Sequence, residues 1–206
     1  MTELIKDTYQ TISTPSEGLF KDKGSKFIAY AYPIFSVEEV KPIIDVLKKE
    51  HYSARHHCFA YRIGVEGEQF RANDDGEPSG SAGKPILGQL LSKDLTNILV
   101  VVVRYFGGTL LGVPGLINAY KKSTIDVIDN SDVVERIVED LVEVKFDYLV
   151  MNDVMKVIKD TDLKQLSSAY DLMCKIVLPV RKTKTKEVVD RLSKIESAIV
   201  EIIGVR

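Results

Sequence analysis

Six consecutive apolar residues, Ile98-Leu99-Val100-Val101-Val102-Val103, form the longest apolar run in this 206-residue chain. The run is far shorter than the roughly 18 apolar residues a membrane helix requires. Its β-branched character suits a pleated strand. A strand that is apolar at nearly every position has no face to give to water, so Asn97–Arg104 is predicted to be central in a sheet and covered on both sides.

The surrounding sequence supplies the partners for such a sheet. Residues 17–33 alternate around the turn Lys21-Asp22-Lys23-Gly24 and read as two strands, with Phe27, Ala29 and Ala31 on one face of the second. Ser36 and Glu39 have capping-box spacing for a helix running to about Glu50, striped by Val37, Val40, Ile44 and Leu47. Pro42 either kinks that helix or marks its true first turn. His57 to Ile63 reads as a strand, paired with Gln69–Ala72 across Gly64–Gly67. Pro85 suits the first position of a short helix carrying Ile86, Leu87, Leu90 and Leu91. A longer helix over roughly 114–129 is expected to bury Leu116, Ile117, Tyr120, Thr124, Val127 and Ile128.

The rest of the chain has a different rhythm. A strand ending near Phe146 and a helix over 149–160 are followed by strands at 163–170 and 173–180. A helix at 184–196, capped by Thr183 or Thr185, and a strand at 199–205 complete the order. This β-α-β-β-α-β order is the ferredoxin-like arrangement. Asn130-Ser131-Asp132 is the natural boundary, so the expectation is an α+β protein with domains 1–131 and 132–206. Residues 1–131 hold 15 Lys and Arg against 16 Asp and Glu, and residues 132–206 hold 13 against 14. Bulk charge therefore does not drive non-specific duplex binding. The start Met1-Thr2-Glu3-Leu4-Ile5-Lys6 lacks the basic and apolar regions of a signal peptide, which predicts a cytoplasmic protein. Cys58 and Cys174 are then free thiols, and two isolated cysteines make no zinc spacing.

Three segments carry unusual chemistry. In Arg55-His56-His57-Cys58-Phe59-Ala60-Tyr61-Arg62, neighbouring side chains on a strand point to opposite faces, so His56 and His57 do not share a ligand. A metal would need a further ligand from Asp74, Asp75 or Glu77. One packed and one half-exposed histidine fit better, and Cys58 reads as inert rather than nucleophilic. The second segment, Asp74-Asp75-Gly76-Glu77-Pro78-Ser79-Gly80-Ser81-Ala82-Gly83, is a polar turn-former loop without P-loop spacing. Its amides can hold an anion, but its three acids repel phosphate unless they point away, bind a cation or pair with arginine. The third segment, Arg104-Tyr105-Phe106-Gly107-Gly108, begins where the central strand ends. Arg104 can pair with the acidic loop or with a ligand. Tyr105 and Phe106 suit either base stacking or the core. Lys121 adds positive charge on the long helix.

Taken with Lys23-Gly24-Ser25-Lys26-Phe27 and Leu111-Gly112, these segments resemble the YigZ/IMPACT family in order and spacing. Ser81 stands where the family usually has threonine, Pro114 where it commonly has glycine, and Asn118 where it has arginine. The resemblance implies an N-terminal domain like the second domain of a small-subunit ribosomal protein. It implies a C-terminal domain like the last domain of elongation factor G. Eukaryotic relatives act in translational control. The expected function is a non-catalytic, translation-linked regulator with no cofactor or metal, binding RNA, the ribosome or a translation factor. Its candidate surface comprises His56, His57, Arg62, Asp74, Asp75, Gly76, Glu77, Pro78, Ser79, Gly80, Ser81, Gly83, Arg104, Tyr105, Phe106, Gly107, Gly108 and Lys121. The alternatives are a hydrolase using a metal or histidine-polarised water with Asp74, Asp75 and Glu77, and a protein-interaction module docking through the C-terminal sheet face.

Overall fold

The computed structural model describes residues 7–171 and 173–206. The leader-free start read from Met1–Lys6 lies outside them. The chain divides into two compact α+β units, one of residues 9–136 and one of residues 137–206 joined by the stretch up to Thr8. The sequence boundary at 131/132 falls short of this division. Strand β7 (Val133–Ile137) pairs with β1 (Thr8–Ile12), which keeps residues 133–136 with the first unit.

The first unit is built on an antiparallel sheet of β2 (Ser16–Asp22), β3 (Ser25–Pro33), β4 (His56–Ile63), β5 (Gln69–Asn73) and β6 (Ile98–Tyr105). The spatial order is β2-β3-β6-β4-β5, so the apolar strand is central, with Val101 opposite Tyr30 on one side and Phe59 on the other. Both of its faces are covered. Val100 and Val102 pack with Phe27, Ala29, Cys58 and Ala60 beneath α2 (Gly83–Ser92) and α3 (Gly112–Asp129). Leu99, Val101 and Val103 pack with Val40, Ile44 and Leu47 of α1 (Val40–Glu50).

Pro42 sits in the first turn of α1, where its missing amide costs no helix bond. A 3-10 turn at Val37–Glu39 precedes it, and the Glu39 carboxylate accepts the Ser36 amide at 2.9 Å. Pro85 is the third rather than the first residue of α2, because the helix begins at Gly83. Ile117 is exposed, and Ala119 and Ser123 take the inner positions on α3. The apolar stripe there is narrower than Ile117 suggested.

The second unit contains β8 (Glu139–Asp147), α4 (Met151–Asp160), β9 (Ser167–Ala169), β10 (Met173–Arg181), α5 (Thr185–Leu192) and β11 (Ile199–Val205). The sheet order β11-β8-β10-β9 is that of a ferredoxin-like βαββαβ unit. Its core packs Val142, Val144, Phe146, Ile176 and Leu178 against Val154, Ile158, Val188 and Leu192. Neither threonine caps α5. The Thr183 hydroxyl bonds Asp7, and the Thr185 hydroxyl donates to the Asp140 carboxylate at 2.6 Å. On the other sheet face, Glu143 binds both Lys145 and Lys175, and Lys145 lies 3.6 Å from Glu201. The centre of that face is therefore an ion cluster and not the alternating apolar surface a dock there would need. Among the described residues, no helix is long and apolar enough to cross a membrane.

Candidate functional site

The loop joining β5 to α2 folds against the C-terminal end of β6. Antiparallel pairing puts His56 directly opposite Arg104 and Phe27 on Arg104's other side. Period-2 alternation then aims all three side chains toward α3. Glu77 reaches into this spot from the loop. Its Oε1 accepts from Arg104 Nη1 at 2.7 Å and from the Tyr120 hydroxyl of α3 at 2.8 Å. The Glu77 and Arg104 side chains are only 3% and 7% exposed. The arginine is also flanked by two aromatic rings, with its Cζ 5.5 Å from the Phe27 centroid and 5.8 Å from that of Phe106.

The other acids of the loop hold its shape. Asp74 Oδ1 accepts the Ala82 and Gly83 amides at 3.0 and 2.8 Å, and Oδ2 accepts the Gly80 amide at 2.8 Å. This carboxylate thereby satisfies free amides at the start of α2. Desolvation alone would raise its pKa, but the Gly80, Gly83 and Ala82 donors and nearby Lys84 bring it below the ordinary value. Asp75 and Gly76 have φ of +41° and +86° and turn the chain. Asp75 Oδ2 accepts the His57 amide at 2.7 Å, and Oδ1 lies 3.5 Å from Lys48 Nζ. The Ser81 hydroxyl and amide both donate to the Pro78 carbonyl, at 2.6 and 3.0 Å. Gly76, Pro78 and Ser79 form the exposed crest.

The two histidines lie in different settings. His56 Nδ1 is 2.8 Å from the Asp75 carbonyl. A carbonyl only accepts, so that nitrogen carries a proton, and Nε2 lies 4.0 Å from Glu77. His57 is buried on the α1 side, opposite Val103. Burial lowers its pKa below 6.5 against the opposing pull of Asp75. Below pH 6.5 the unfolded chain takes up a proton that the folded chain resists, so stability falls as pH drops from there through the folded value. Asp74 acts in a separate window. Its contribution is full above 3.8 and is lost as pH falls through its lowered folded value. Urea titrations across pH 7 to 3 should show both declines, and His57→Gln should remove the upper one alone. An unchanged slope between about pH 6.5 and 5 in that variant would contradict the assignment.

Cys58 Sγ lies 2.9 Å from the Asp74 carbonyl and 3.3 Å from the Tyr120 hydroxyl. Burial pushes its thiol far up, and burial with the nearby Cys58 and Glu77 does the same to Tyr120. Neither group ionises near neutral pH. Among the described residues, no cluster of three His, Cys, Asp or Glu side chains is placed to hold a metal.

Two of the expected residues belong elsewhere. Arg62 sits at the far end of β4, where it donates to the Leu95 and Glu66 carbonyls at 2.8 and 3.0 Å. It pins the Gly64–Gly67 turn, because six residues along a strand carry it roughly 20 Å from His56. Tyr105 follows Arg104 by one residue and faces α1. Its hydroxyl bonds His51 Nδ1 at 2.8 Å, and His51 Nε2 bonds the Tyr30 hydroxyl at 2.8 Å. Phe106, 48% exposed, remains at the site with Gly107 and Gly108. Lys121 is exposed on α3, one and two turns beyond Ile117 and Val113.

Sequence reading missed three participants. Tyr120 could have been found as the one phenol on the inner stripe of α3. Arg55 and Lys84 are exposed cations beside the loop and make no ion pair among the described residues. Nothing in their local sequence separates them from ordinary surface charges.

The Impact N-terminal domain family matches residues 23–128, which contain all of this geometry. IMPACT family member YvyE of Bacillus subtilis is 39% identical over 68% of this chain and 65% of its own length. IMPACT family member YigZ of Escherichia coli is 45% identical over 48% of this chain and 49% of its own length. The chain thus spans less than two thirds of either relative. An IMPACT family member of Haemophilus influenzae is 34% identical over 77% of this chain and 78% of its own. A crystal structure described as a hypothetical protein superposes with a TM-score of 0.75 at 27% identity, covering 97% of this chain and 99% of the other. On the strength of the matched domain and these relatives, the chain belongs to the IMPACT family.

Proposed function

We propose that this protein is a non-catalytic, cytoplasmic regulator of translation that binds RNA through the surface built on the 74–83 loop and the end of β6. One observation carries the reading. The three loop acids are neutralised from within, by Arg104 and Tyr120, by backbone amides, and by Lys48 with the His57 amide. The outward groups are then Arg55, Lys84, Lys121 and the Phe106 ring. Exposed cations and an exposed aromatic on these segments suit a single strand, which offers phosphates and unstacked bases. The translation link rests on family membership and on what the family resemblance implies for eukaryotic relatives. Burial holds the Cys58 thiol protonated near neutral pH.

Fluorescence anisotropy with a single-stranded RNA should show binding at 50 mM salt that weakens about tenfold or more by 200 mM, as about three phosphate contacts require. Phe106→Ala should weaken it further at both salts. Absence of binding at the lower salt removes the RNA reading. A second reading, a protein component of the translation apparatus, is favoured by Leu110, 83% exposed, beside exposed Val113 and Ile117. It predicts sedimentation with a translation factor and not with RNA alone.

A further inference from the structure

The two edges of the five-stranded sheet are finished differently. At the β2 edge, the Leu19 amide donates to Asp126 Oδ2 at 2.8 Å and the Glu17 carbonyl accepts from Asn130 Nδ2 at 3.0 Å. Side chains from the end of α3 thus occupy backbone groups that a new strand would use. The β5 edge carries no such plug over Gln69–Ala72 among the described residues. All four residues are exposed or half-buried, and Phe70 is 63% exposed. Unpaired edges of this kind template the addition of another strand.

Beside this edge lies a groove of about 280 Å³. It opens because α1 crosses the sheet without covering the β4–β5 side. Val37, Val40, Ile44, Phe59 and Tyr61 give it apolar walls, and Arg71 stands at its mouth. Arg71 lies opposite Tyr61 on the groove face of β5. It has no carboxylate partner among the described residues, whereas the neighbouring Lys41 is already paired with Asp45 at 2.6 Å.

We propose that β5 is a docking edge for an extended segment of another protein, added as a sixth strand. One side chain of that segment is aliphatic and enters the groove. A carboxylate two positions along the same face meets Arg71. The two-residue spacing follows from the pleat, which returns alternate side chains to one face. Backbone pairing supplies affinity and the groove with its arginine supplies selection, as in other strand-addition complexes. A second copy of this chain is a poor occupant. The groove face of its own β5 offers Gln69, Arg71 and Asn73, which present no acid and a repelling guanidinium.

The probe is a capped nonapeptide, Thr-Thr-Val-Thr-Glu-Thr-Val-Thr-Thr, titrated into the full chain. Binding is expected to protect outward amides of Gln69–Ala72 from hydrogen exchange and to vanish when alternate peptide nitrogens are methylated. Arg71→Glu, an exposed change, should weaken the peptide about tenfold, and replacing the peptide's glutamate by lysine should restore it. No binding by about 1 mM peptide, or binding indifferent to N-methylation, overturns the proposal. So does concentration-dependent dimerisation that protects the same amides without peptide. RNA binding at the other surface is read separately, so either result stands without the other.

Discussion

Replacing Glu77 by alanine is expected to lower folding stability by about 3–5 kcal/mol, measured by urea unfolding. Among the described residues, this carboxylate alone accepts a hydrogen bond from the Arg104 guanidinium, whose Nε already lies buried without an acceptor. Removing it leaves a charge in a space that water does not reach, together with a buried Tyr120 hydroxyl that loses its acceptor. Arg104→Ala should cost a similar amount, for the mirror-image reason. The double change Glu77→Leu with Arg104→Met should recover most of the loss, because removing both charges also removes the need to desolvate either. A loss below about 1 kcal/mol in the single variant would mean that solvent enters this recess freely.

Gly107→Ala is expected to destabilise by about 3 kcal/mol or more, while Gly108→Ala next to it costs about 1 kcal/mol. The contrast arises from space and not from chain flexibility. A Cβ on Gly107 would lie 1.9 Å from the Gly24 carbonyl carbon and 2.1 Å from the Ser25 nitrogen. These are backbone atoms of the β2–β3 turn, so no rotamer change relieves the overlap. Gly108 has φ of +84° and nothing within 4 Å of its would-be Cβ, so its replacement meets only backbone strain. Thermal unfolding of both variants decides the matter. Equal losses would show that conformation, and not the approach of the two loops, sets the requirement for glycine.

The sheet was legible because its strongest signal is unambiguous. A strand apolar on both faces has one solution, and β6 occupies it. The ferredoxin-like order was legible from alternating periods. The candidate site was legible only at the level of segments: strand alternation separates His56 from His57, and the β4–β6 register then shows that His56 is the one opposite Arg104. The failures have physical causes. Arg62 carries the right charge, but its distance from Arg104 is set by pairing register, which local sequence does not encode. Tyr105 carries the right chemistry on the wrong face, although its position one residue after Arg104 already implied that. Thr183 and Thr185 are good cap residues, yet Asp7 and Asp140, distant in sequence, take their hydroxyls. The loop acids were legible as a problem of repulsion, but only three-dimensional placement reveals which of the open remedies each adopts.

The bonds of Asp7 to Arg181 and Thr183 have a consequence for synthesis. The partners are separated by 174 and 176 positions, so at 5–20 residues per second roughly 10–35 s pass between their emergence. During that interval all five strands of the early-made sheet are synthesised, while the aspartate waits for the end of β10 and the turn after it. Maturation of the later-made unit is thus timed by the synthesis of Arg181 and Thr183.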